Sequence, residues 1–168
     1  MFSFGILTIS DKGWRHERRD DSGTAIRDRL LLLDSHMVTY EVVPDEVDII
    51  SGKLAEWADA SNVDVILTTG GTGLGPRDVT PEATMKVVDR VVPGLAEAMR
   101  AGTFHKTPFA ILSRAVAGVR GKCLIINLPG SPKAVQECLE VILPAIPHAV
   151  QIITGEITEH ATGEDNAH

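Results

Sequence analysis

Glycines, threonines and carboxylates crowd one segment of the sequence, residues 63–84, VDVILTTGGTGLGPRDVTPEAT. Its four glycines, at positions 70, 71, 73 and 75, allow positive φ angles and a close approach of the backbone to a ligand. The apolar run at 63–69 predicts a buried strand before them, and Thr80 with Pro81 predicts the N-cap and first residue of a helix after them. Such an arrangement favours phosphate binding, because free N–H groups and the helix dipole attract anions. The alternative is an ordinary tight turn between a strand and a helix.

The glycine loop fits neither of the two common phosphate-binding fingerprints. A P-loop continues from its last glycine into Lys-Ser or Lys-Thr, whereas Pro76 and Arg77 follow Gly75 here. A dinucleotide fingerprint usually lies in the first strand–helix unit, whereas this loop belongs to the third predicted unit. The sequence therefore predicts an anion site that belongs to neither class.

Polar residues also follow the other predicted strands. The strand at 122–128 leads into Asn-Leu-Pro-Gly-Ser-Pro-Lys, where Ser131 and Pro132 predict a second helix start of the same kind. Asp45 follows the second strand and is a candidate for catalysis or metal binding, although a role in stabilising a helix N-terminus would also explain it. The polar loop at 11–23 follows the first strand and is rich in arginine. It is either a solvated surface or a source of cations for an anionic ligand.

These turns need a scaffold, and the hydrophobic pattern predicts one. Apolar runs predict strands at 4–10, 37–43, 63–69 and 122–128. Helical spacing predicts helices after them, with Ser22 as the cap of the first, and further helices at 81–90 and 95–100. The buried stripes of three helices are expected at Ile26, Leu30 and Leu33, at Val47, Ile50, Leu54 and Trp57, and at Val135, Cys138, Leu139 and Ile142.

Four strand–helix units indicate an α/β fold with a doubly wound, mostly parallel sheet. Right-handed crossovers would bring the turns near 10–15, 70–80 and 128–133 to one edge, where we expect the ligand. The segment 109–121 fits a strand or a helix, and Pro144 and Pro147 are expected to break the last helix.

Composition limits the classes of function. The chain has 168 residues with a formal charge of −7, which argues against nucleic acid and membrane surfaces as partners. We predict one domain at 1–154 and a frayed, acidic tail at 155–168. The absence of a signal sequence or a spanning apolar run favours a cytoplasmic protein. The two cysteines, Cys123 and Cys138, are expected to be buried thiols, and the scattered histidines predict no zinc site.

Four segments together resemble a known family: ISDKG at 9–13, TTGGTGLGPRDVTPEAT at 68–84, LSRAVAG at 112–118 and NLPGSPKAV at 127–135. They are similar to the MoaB/Mog family of molybdenum cofactor biosynthesis, and most similar to its molybdopterin adenylyltransferase branch, which is related to plant and gephyrin G domains. The resemblance implies a trimer of three-layer α/β/α domains. It also implies adenylyl transfer from Mg-ATP to the terminal phosphate of molybdopterin, release of pyrophosphate, and hand-over of the product to a molybdenum insertase.

The same resemblance assigns roles to particular residues. Asp78 and Asp45 would be the catalytic residues and would hold Mg²⁺, since a phosphate nucleophile is already ionised and needs no base. A cap or a loop hydrogen bond would be the structural explanation of Asp78. The nucleotide and the pterin would contact Ser10, Asp11, Thr69, Gly70, Gly71, Thr72, Gly73, Ser113, Pro129, Gly130 and Ser131.

Two other functions stay open at this point. One is a carrier that binds molybdopterin without turnover, and retention of both aspartates argues against it. The other is a nucleotide pyrophosphatase similar to the competence-related relatives, which usually carry extra domains. The segment 14–21 is richer in arginine than in many relatives, so a ligand role for Arg15 or Arg19 is inferred from the residues alone.

Overall fold

A single six-stranded sheet organises residues 1–157, the part of the chain that the computed structural model describes. The sheet order is β2-β1-β3-β6-β5-β4. The first four strands in this order are parallel, whereas β5 is antiparallel to β6 and β4 is antiparallel to β5. The predicted mostly parallel sheet is therefore confirmed. The strands are β1 Phe2–Ile9, β2 Ser35–Val43, β3 Val65–Thr69, β4 Arg90–Val91, β5 Ala117–Arg120 and β6 Cys123–Leu128.

Helices cover both faces of the sheet and complete a three-layer α/β/α architecture. They are α1 Asp11–Trp14, α2 Asp21–Leu30, α3 Val47–Asp59, α4 Thr80–Met85, α5 Pro93–Thr103, α6 Pro132–Ile142 and α7 Ile146–Thr154. Buried residues of α2, α5, α6 and α7 pack on one face, and those of α3 and α4 pack on the other. The α/β class and its layers agree with the sequence prediction.

The central strands are apolar on both faces because both faces are covered. In β1, Phe4 and Ile6 point into one core while Leu7 and Ile9 point into the other. This is why the strands appear in the sequence as continuous apolar runs rather than alternating ones. The predicted stripes of α3 and α6 are confirmed, with Leu54 and Leu139 fully buried.

Two predicted helix caps are wrong. Helix α2 begins at Asp21, and its N-cap is Asp20, whose carboxylate accepts a hydrogen bond from Gly23 N. Ser22 lies inside the first turn, where its hydroxyl donates to the carbonyl of Gly130 at 2.5 Å. Thr80 is likewise inside α4, because its hydroxyl donates to the carbonyl of Gly70 at 2.8 Å instead of accepting from the helix. In both places a tertiary hydrogen bond competes with local capping.

Other boundaries differ from the sequence prediction. The polar loop at 11–23 contains the short helix α1. Helix α4 ends at Met85 rather than near Arg90, and Arg90 belongs instead to the edge strand β4. The ambiguous segment 109–121 divides into a 3₁₀ turn, Pro108–Leu112, and the strand β5.

The last helical stretch, Pro132–Thr154, has 23 residues and is long and apolar enough to cross a membrane by length and composition, with a mean hydropathy of 1.2 in an 18-residue window. The sequence-based expectation of no such segment is wrong on that criterion. A 3₁₀ turn, Leu143–Ala145, interrupts the stretch at Pro144, as predicted. Val135, Leu139, Ile142 and Ile146 are buried against the sheet, so we interpret the stretch as two helices of the protein core.

The two cysteines are buried, as predicted. Burial raises the pKa of the Cys123 thiol to about 12 and that of the Cys138 thiol to about 11, so both are protonated at neutral pH. Of the predicted frayed tail, Gly155 to Ile157 follow the end of α7, and residues 158–168 lie outside the described part of the chain.

Candidate active site

The carboxyl ends of β1, β3 and β6 meet at one edge of the sheet. The chain leaves β1 towards β2 on one side, and β3 leads towards β6 on the other, so the order of the strands reverses between β1 and β3. Open α/β sheets bind ligands at such a switch point. A polar cleft of about 600 Å³ lies there, and it brings together these residues of the predicted set: Ser10, Asp45, Thr69, Gly70, Gly71, Asp78, Gly130 and Ser131.

The glycine loop begins at this switch point with two residues in the left-handed region. Gly70 has a φ of 98° and Gly71 a φ of 68°. A Cβ atom on Gly70 would lie 2.2 Å from the carbonyl oxygen of Ile9, and one on Gly71 would lie 2.2 Å from the hydroxyl of Thr80. Both positions therefore need glycine, for the backbone angle and for the close approach, of Gly70 to strand β1 and of Gly71 to helix α4.

Two helix N-termini open into the polar cleft. Ser131 caps α6 by accepting from Ala134 N at 3.1 Å, as the sequence predicts. The second is α2, whose first residues Asp21 and Ser22 line the cleft and whose N-cap lies at Asp20, two residues before the predicted cap Ser22. The hydrogen bond from Ser22 to Gly130 joins the two helix starts. Helix α4 contributes less to anion binding than the sequence predicts, because it has only six residues and its first two are buried.

Asp45 and Asp11 are joined by a reciprocal pair of hydrogen bonds, each from the backbone N–H of one residue to the carboxylate of the other. Asp11 N donates to Asp45 Oδ2 at 2.8 Å, and Asp45 N donates to Asp11 Oδ1 at 3.1 Å. Asp45 does not cap α3, whose N-cap residue Glu46 makes no capping hydrogen bond with its side chain. The carboxylate of Asp45 thus makes no capping hydrogen bond to α3 and accepts one from Asp11 N instead. Burial raises the pKa of its half-buried carboxyl group, so ionisation in the cleft is disfavoured without a cation.

The carboxylate of Asp11 binds an arginine and does not line the cleft. Arg77 donates from Nε to Asp11 Oδ2 and from Nη2 to Asp11 Oδ1, both at 3.0 Å, and Nη2 also reaches Glu46 at 3.0 Å. These hydrogen bonds hold the pKa of Asp11 below its ordinary value. Asp11 therefore fixes Asp45 and Arg77 relative to each other and does not itself line the cleft.

Asp78 lies between two glycines of the loop. Its Oδ2 accepts a hydrogen bond from Gly75 N at 2.8 Å. A Cβ atom at Gly73 or Gly75 would come within 2.9 or 2.8 Å of that oxygen, so both glycines leave room for the carboxylate. The loop hydrogen bond considered for Asp78 exists, yet the side chain also lines the polar cleft beside Asp45.

The carboxylate oxygens that the cleft offers as metal ligands suit magnesium better than zinc. Asp45 and Asp78 each use one oxygen for a backbone N–H, and their Oδ1 atoms accept no hydrogen bond from residues 1–157. No group of three or more metal-ligating side chains occurs in that part of the chain. Magnesium needs only one or two carboxylates, with phosphates and water as its remaining ligands, so the two aspartates fit such an ion.

A second, apolar cavity of about 430 Å³ lies on the other side of the glycine loop. Its walls come from α5, α6 and the 3₁₀ turn, and they include Met99, Phe109 and Leu112. Four residues of the predicted set lie here rather than in the polar cleft: Thr72, Gly73, Ser113 and Pro129. The predicted contacts thus divide between two cavities that share the glycine loop as a wall.

Sequence reasoning missed Arg114, which fastens the glycine loop. Its Nε donates to the carbonyl of Gly73 at 2.7 Å, its Nη2 donates to the carbonyl of Asp78 at 2.6 Å, and it forms an ion pair with Glu82. Its backbone N–H donates to the carbonyl of Thr72 at 2.9 Å. Arg114 directly follows Ser113 in the LSRAVAG segment, which carries part of the family resemblance. Its position in that segment is the feature of the sequence that could have identified it.

Sequence reasoning also missed Asp20. Besides capping α2, Asp20 Oδ2 accepts hydrogen bonds from the hydroxyls of Thr8 at 2.6 Å and Tyr40 at 2.7 Å. Burial and the hydrogen bond to Asp20 raise the pKa of Tyr40. The hydrogen bonds from Thr8 and Tyr40 attach the start of α2 to the neighbouring strands β1 and β2.

The fold and the cleft define an α/β/α domain with a candidate anion-binding cleft at its switch point. The family described as "Probable molybdopterin binding domain" matches residues 5–148. A protein of Helicobacter pylori named "Molybdopterin adenylyltransferase" is 47% identical over 153 residues, which cover 90% of this chain and 87% of that protein. The Drosophila melanogaster "Molybdenum cofactor synthesis protein cinnamon" is 43% identical, with 93% of this chain covering 26% of that longer protein.

Among solved structures, the molybdopterin biosynthesis enzyme MoaB from Thermus thermophilus superposes with a TM-score of 0.88 at 57% identity, covering 92% of this chain and 98% of that one. This chain therefore belongs to the family of molybdopterin-binding domains that includes MoaB and Mog proteins. The resemblance inferred from four sequence segments is confirmed.

Proposed function

We propose that this protein transfers an adenylyl group from ATP to the terminal phosphate of molybdopterin and releases pyrophosphate. The supporting observation is the polar cleft at the switch point, in which Asp45 and Asp78 lie beside the glycine loop and two helix N-termini. Relatives that this chain matches over nearly its whole length carry the name of that activity. The same reaction joins two polyanions, which requires the anion-binding features that the cleft concentrates.

The reaction has simple atom balance. A phosphate oxygen of molybdopterin attacks the α-phosphorus of ATP, a phosphoanhydride bond forms, and the bond to the β-phosphate breaks to release pyrophosphate. Because the attacking phosphate is already ionised, the cleft needs no general base. Its residues position the two phosphates and reduce their repulsion: Gly70 and Gly71 allow close approach, and the positive ends of the α2 and α6 helix dipoles lie at the cleft.

Asp45 and Asp78 would hold Mg²⁺, which neutralises charge on the phosphates when it is bound. The raised pKa of Asp45 supports this assignment, since a buried carboxylate without a cation is costly. The backbone N–H groups of Asp11 and Gly75 orient the two carboxylates. The orientation of the Asp45 carboxylate is thus set by Asp11, which Arg77 holds in place, and that of the Asp78 carboxylate is set by the glycine loop.

The two cavities fit a reaction between two large substrates. The polar cleft suits the phosphates, whereas the apolar cavity suits one flat heterocycle, adenine or pterin. The glycine loop borders both cavities, so a ligand that crosses it would place its phosphate at Gly70 and Gly71. A single-substrate carrier would have less use for the second cavity.

The test is pyrophosphate release from Mg-ATP, with and without molybdopterin. Release that depends on molybdopterin supports the transferase. Tight binding of molybdopterin with no release would contradict the transferase and favour the carrier. Hydrolysis of a free dinucleotide without an acceptor would instead favour the pyrophosphatase.

We also propose a homotrimer, a cytoplasmic location and hand-over of the product to a molybdenum insertase. The exposed apolar side chains of Phe104, Phe109, Ile111 and Leu112 support self-association, because a contiguous apolar surface usually marks an interface. The two buried thiols fit a reducing compartment. Sedimentation equilibrium of the wild type and of Ile111→Asp tests the assembly: a trimer that dissociates in the variant is expected, and a wild-type monomer would contradict it.

A further inference from the structure

The polar cleft contains more negative than positive side chains. Four carboxylates line it, from Asp20, Asp21, Asp45 and Asp78, and among the described residues only Arg18 and Arg19 supply cations to its wall. The chain as a whole carries a formal charge of −7, so its long-range field repels polyanions. Any side-chain attraction for a phosphorylated substrate must therefore come from the two arginines.

The two arginines are not equivalent. Arg19 forms an ion pair with Asp21 at 3.0 Å, and this pairing partly neutralises its positive charge. Arg15 lies in the same segment but pairs with Glu17 at 3.0 Å and does not line the cleft. Arg18 has no carboxylate within ion-pair distance in residues 1–157. Its guanidinium is thus the cation of the cleft that remains available for an incoming anion.

The segment that carries Arg18 is attached at both ends. On its N-terminal side, Ser10 Oγ accepts from Gly13 N at 3.0 Å, and Glu17 N donates to the carbonyl of Lys12 at 2.9 Å. On its C-terminal side, the carboxylate of Asp20 is bonded to Thr8, Tyr40 and Gly23. A segment fixed at both ends loses less conformational freedom on binding than a free loop.

We propose that Arg18 binds a phosphate or pyrophosphate group of a substrate at the mouth of the polar cleft and thereby sets the affinity for polyanions. A guanidinium donates two parallel hydrogen bonds to a phosphate, which glutamine cannot reproduce. Arg18 is a binding residue rather than a catalytic carboxylate or metal ligand. This inference rests on the proposed function insofar as that function requires phosphates in the cleft.

The test compares Arg18→Gln with Arg15→Gln, a matched control that removes the same charge from the same segment. Isothermal titration calorimetry measures the Kd for inorganic pyrophosphate and for Mg-ATP at low and high salt. We expect Arg18→Gln to weaken both by about tenfold and Arg15→Gln to weaken them by less than about twofold. The difference should shrink at high salt, because ions screen exposed charges. Steady-state kinetics should show a higher KM for ATP with an unchanged kcat.

The outcomes separate this inference from the proposed function. Unchanged affinity in Arg18→Gln, with normal wild-type binding, overturns the role of Arg18 alone. An equal loss in both variants shows a general effect of net charge and also overturns it. A wild type that binds neither probe contradicts the phosphate site, and with it the proposed function. Matching thermal unfolding of both variants establishes that the fold is retained.

Discussion

At the scale of single residues, glycines of one loop have different physical reasons to be glycine. Gly71 has a φ of 68°, and a Cβ atom there would strike the buried hydroxyl of Thr80. Gly73 has no such backbone constraint, and its Cβ atom would instead approach the carboxylate of Asp78 at 2.9 Å. Gly71 therefore supports both the fold and the proposed phosphate-binding loop, whereas Gly73 chiefly leaves room for the side chain of Asp78.

Gly71→Ala should destabilise the protein by about 3 kcal/mol, from left-handed strain and from overpacking against Thr80. Gly52→Ala is the control, because Gly52 lies within α3 with no atom within 4 Å of its would-be Cβ. It should stabilise the protein by about 0.5–1 kcal/mol through helix propensity. Urea unfolding of both variants measures the difference, and equal stabilities would contradict the assignment of Gly71.

Gly73→Ala should behave differently, losing activity with little loss of stability. The added methyl group must displace the flexible carboxylate of Asp78, not a backbone atom. We expect kcat/KM to fall about 100-fold, as for the loss of one electrostatic contact to a transition state, while the unfolding midpoint stays close to that of the wild type. Activity like that of the wild type would show that Asp78 does not need its observed position.

Asp45 is a proposed metal ligand, and ionisation of its carboxyl group lowers the stability of the fold in a pH-dependent way. Burial raises its pKa in the folded protein, so between the ordinary value of 3.8 and the raised value the folded state binds more protons than the unfolded state. Its contribution to stability is therefore fully present below pH 3.8 and is lost as the pH rises through the raised pKa.

Asp45→Asn should remove that loss and leave the protein more stable than the wild type at neutral pH, with the difference disappearing below about pH 4. The asparagine oxygen can still accept the hydrogen bond from Asp11 N, so the site keeps its shape. Thermal unfolding between pH 3.5 and 8 measures the effect. The exposed Asp48→Asn serves as the control, and parallel curves for wild type and Asp45→Asn would refute the argument.

At the scale of elements, Arg114 joins pieces that are distant in the sequence. It reaches from the segment before β5 to the carbonyls of Gly73 and Asp78 and to Glu82 in α4. The glycine loop makes few backbone hydrogen bonds of its own, because it leaves the sheet after Thr69 and enters α4 only at Thr80. The arginine thus replaces secondary structure as the support of the loop.

Arg114→Lys should destabilise the protein by about 2 kcal/mol, because an ammonium group cannot reproduce the several directed bonds of the guanidinium. Amide hydrogen exchange in the loop at 70–78 should become faster. Arg120→Lys is the matched control, since Arg120 also binds a carboxylate and a carbonyl, those of Asp59 and Val87, away from the cleft. Faster exchange in the loop of both variants would contradict a local role for Arg114.

The elements also show where sequence reasoning succeeds. Ser131 and Pro132 were predicted correctly because a cap followed by proline is a local signal, and the polar cleft followed from the positions of the strand ends. Thr80 is also followed by proline, and Ser22 is also of a type that often caps helices. Their hydroxyls instead donate to the carbonyls of Gly70 and Gly130, contacts that no local pattern contains.

The apolar cavity depends on how α5 and the 3₁₀ turn pack beside the loop. For that reason the division of the predicted residues between two cavities could not be derived from spacing.

At the scale of the whole molecule, the fold separates stability from function. The two hydrophobic cores lie on the two faces of the sheet, and the chemistry lies at the ends of its strands. The chain repels polyanions overall, yet it presents two helix N-termini, a glycine loop and Arg18 at one edge. This local concentration of donors explains how an acidic protein can bind two phosphorylated substrates.

The most direct measurement follows the adenylyl group itself. The protein is incubated with molybdopterin and with Mg-ATP labelled at the α-phosphate, and the label is traced into the pterin product for wild type and Asp78→Asn. Asparagine can still accept the hydrogen bond from Gly75 N, so the loop is kept while the charge is lost. The account predicts transfer by the wild type and a loss of at least about 100-fold in the variant, with molybdopterin still bound. Equal transfer by both proteins, or none by a wild type that binds both substrates, would contradict it.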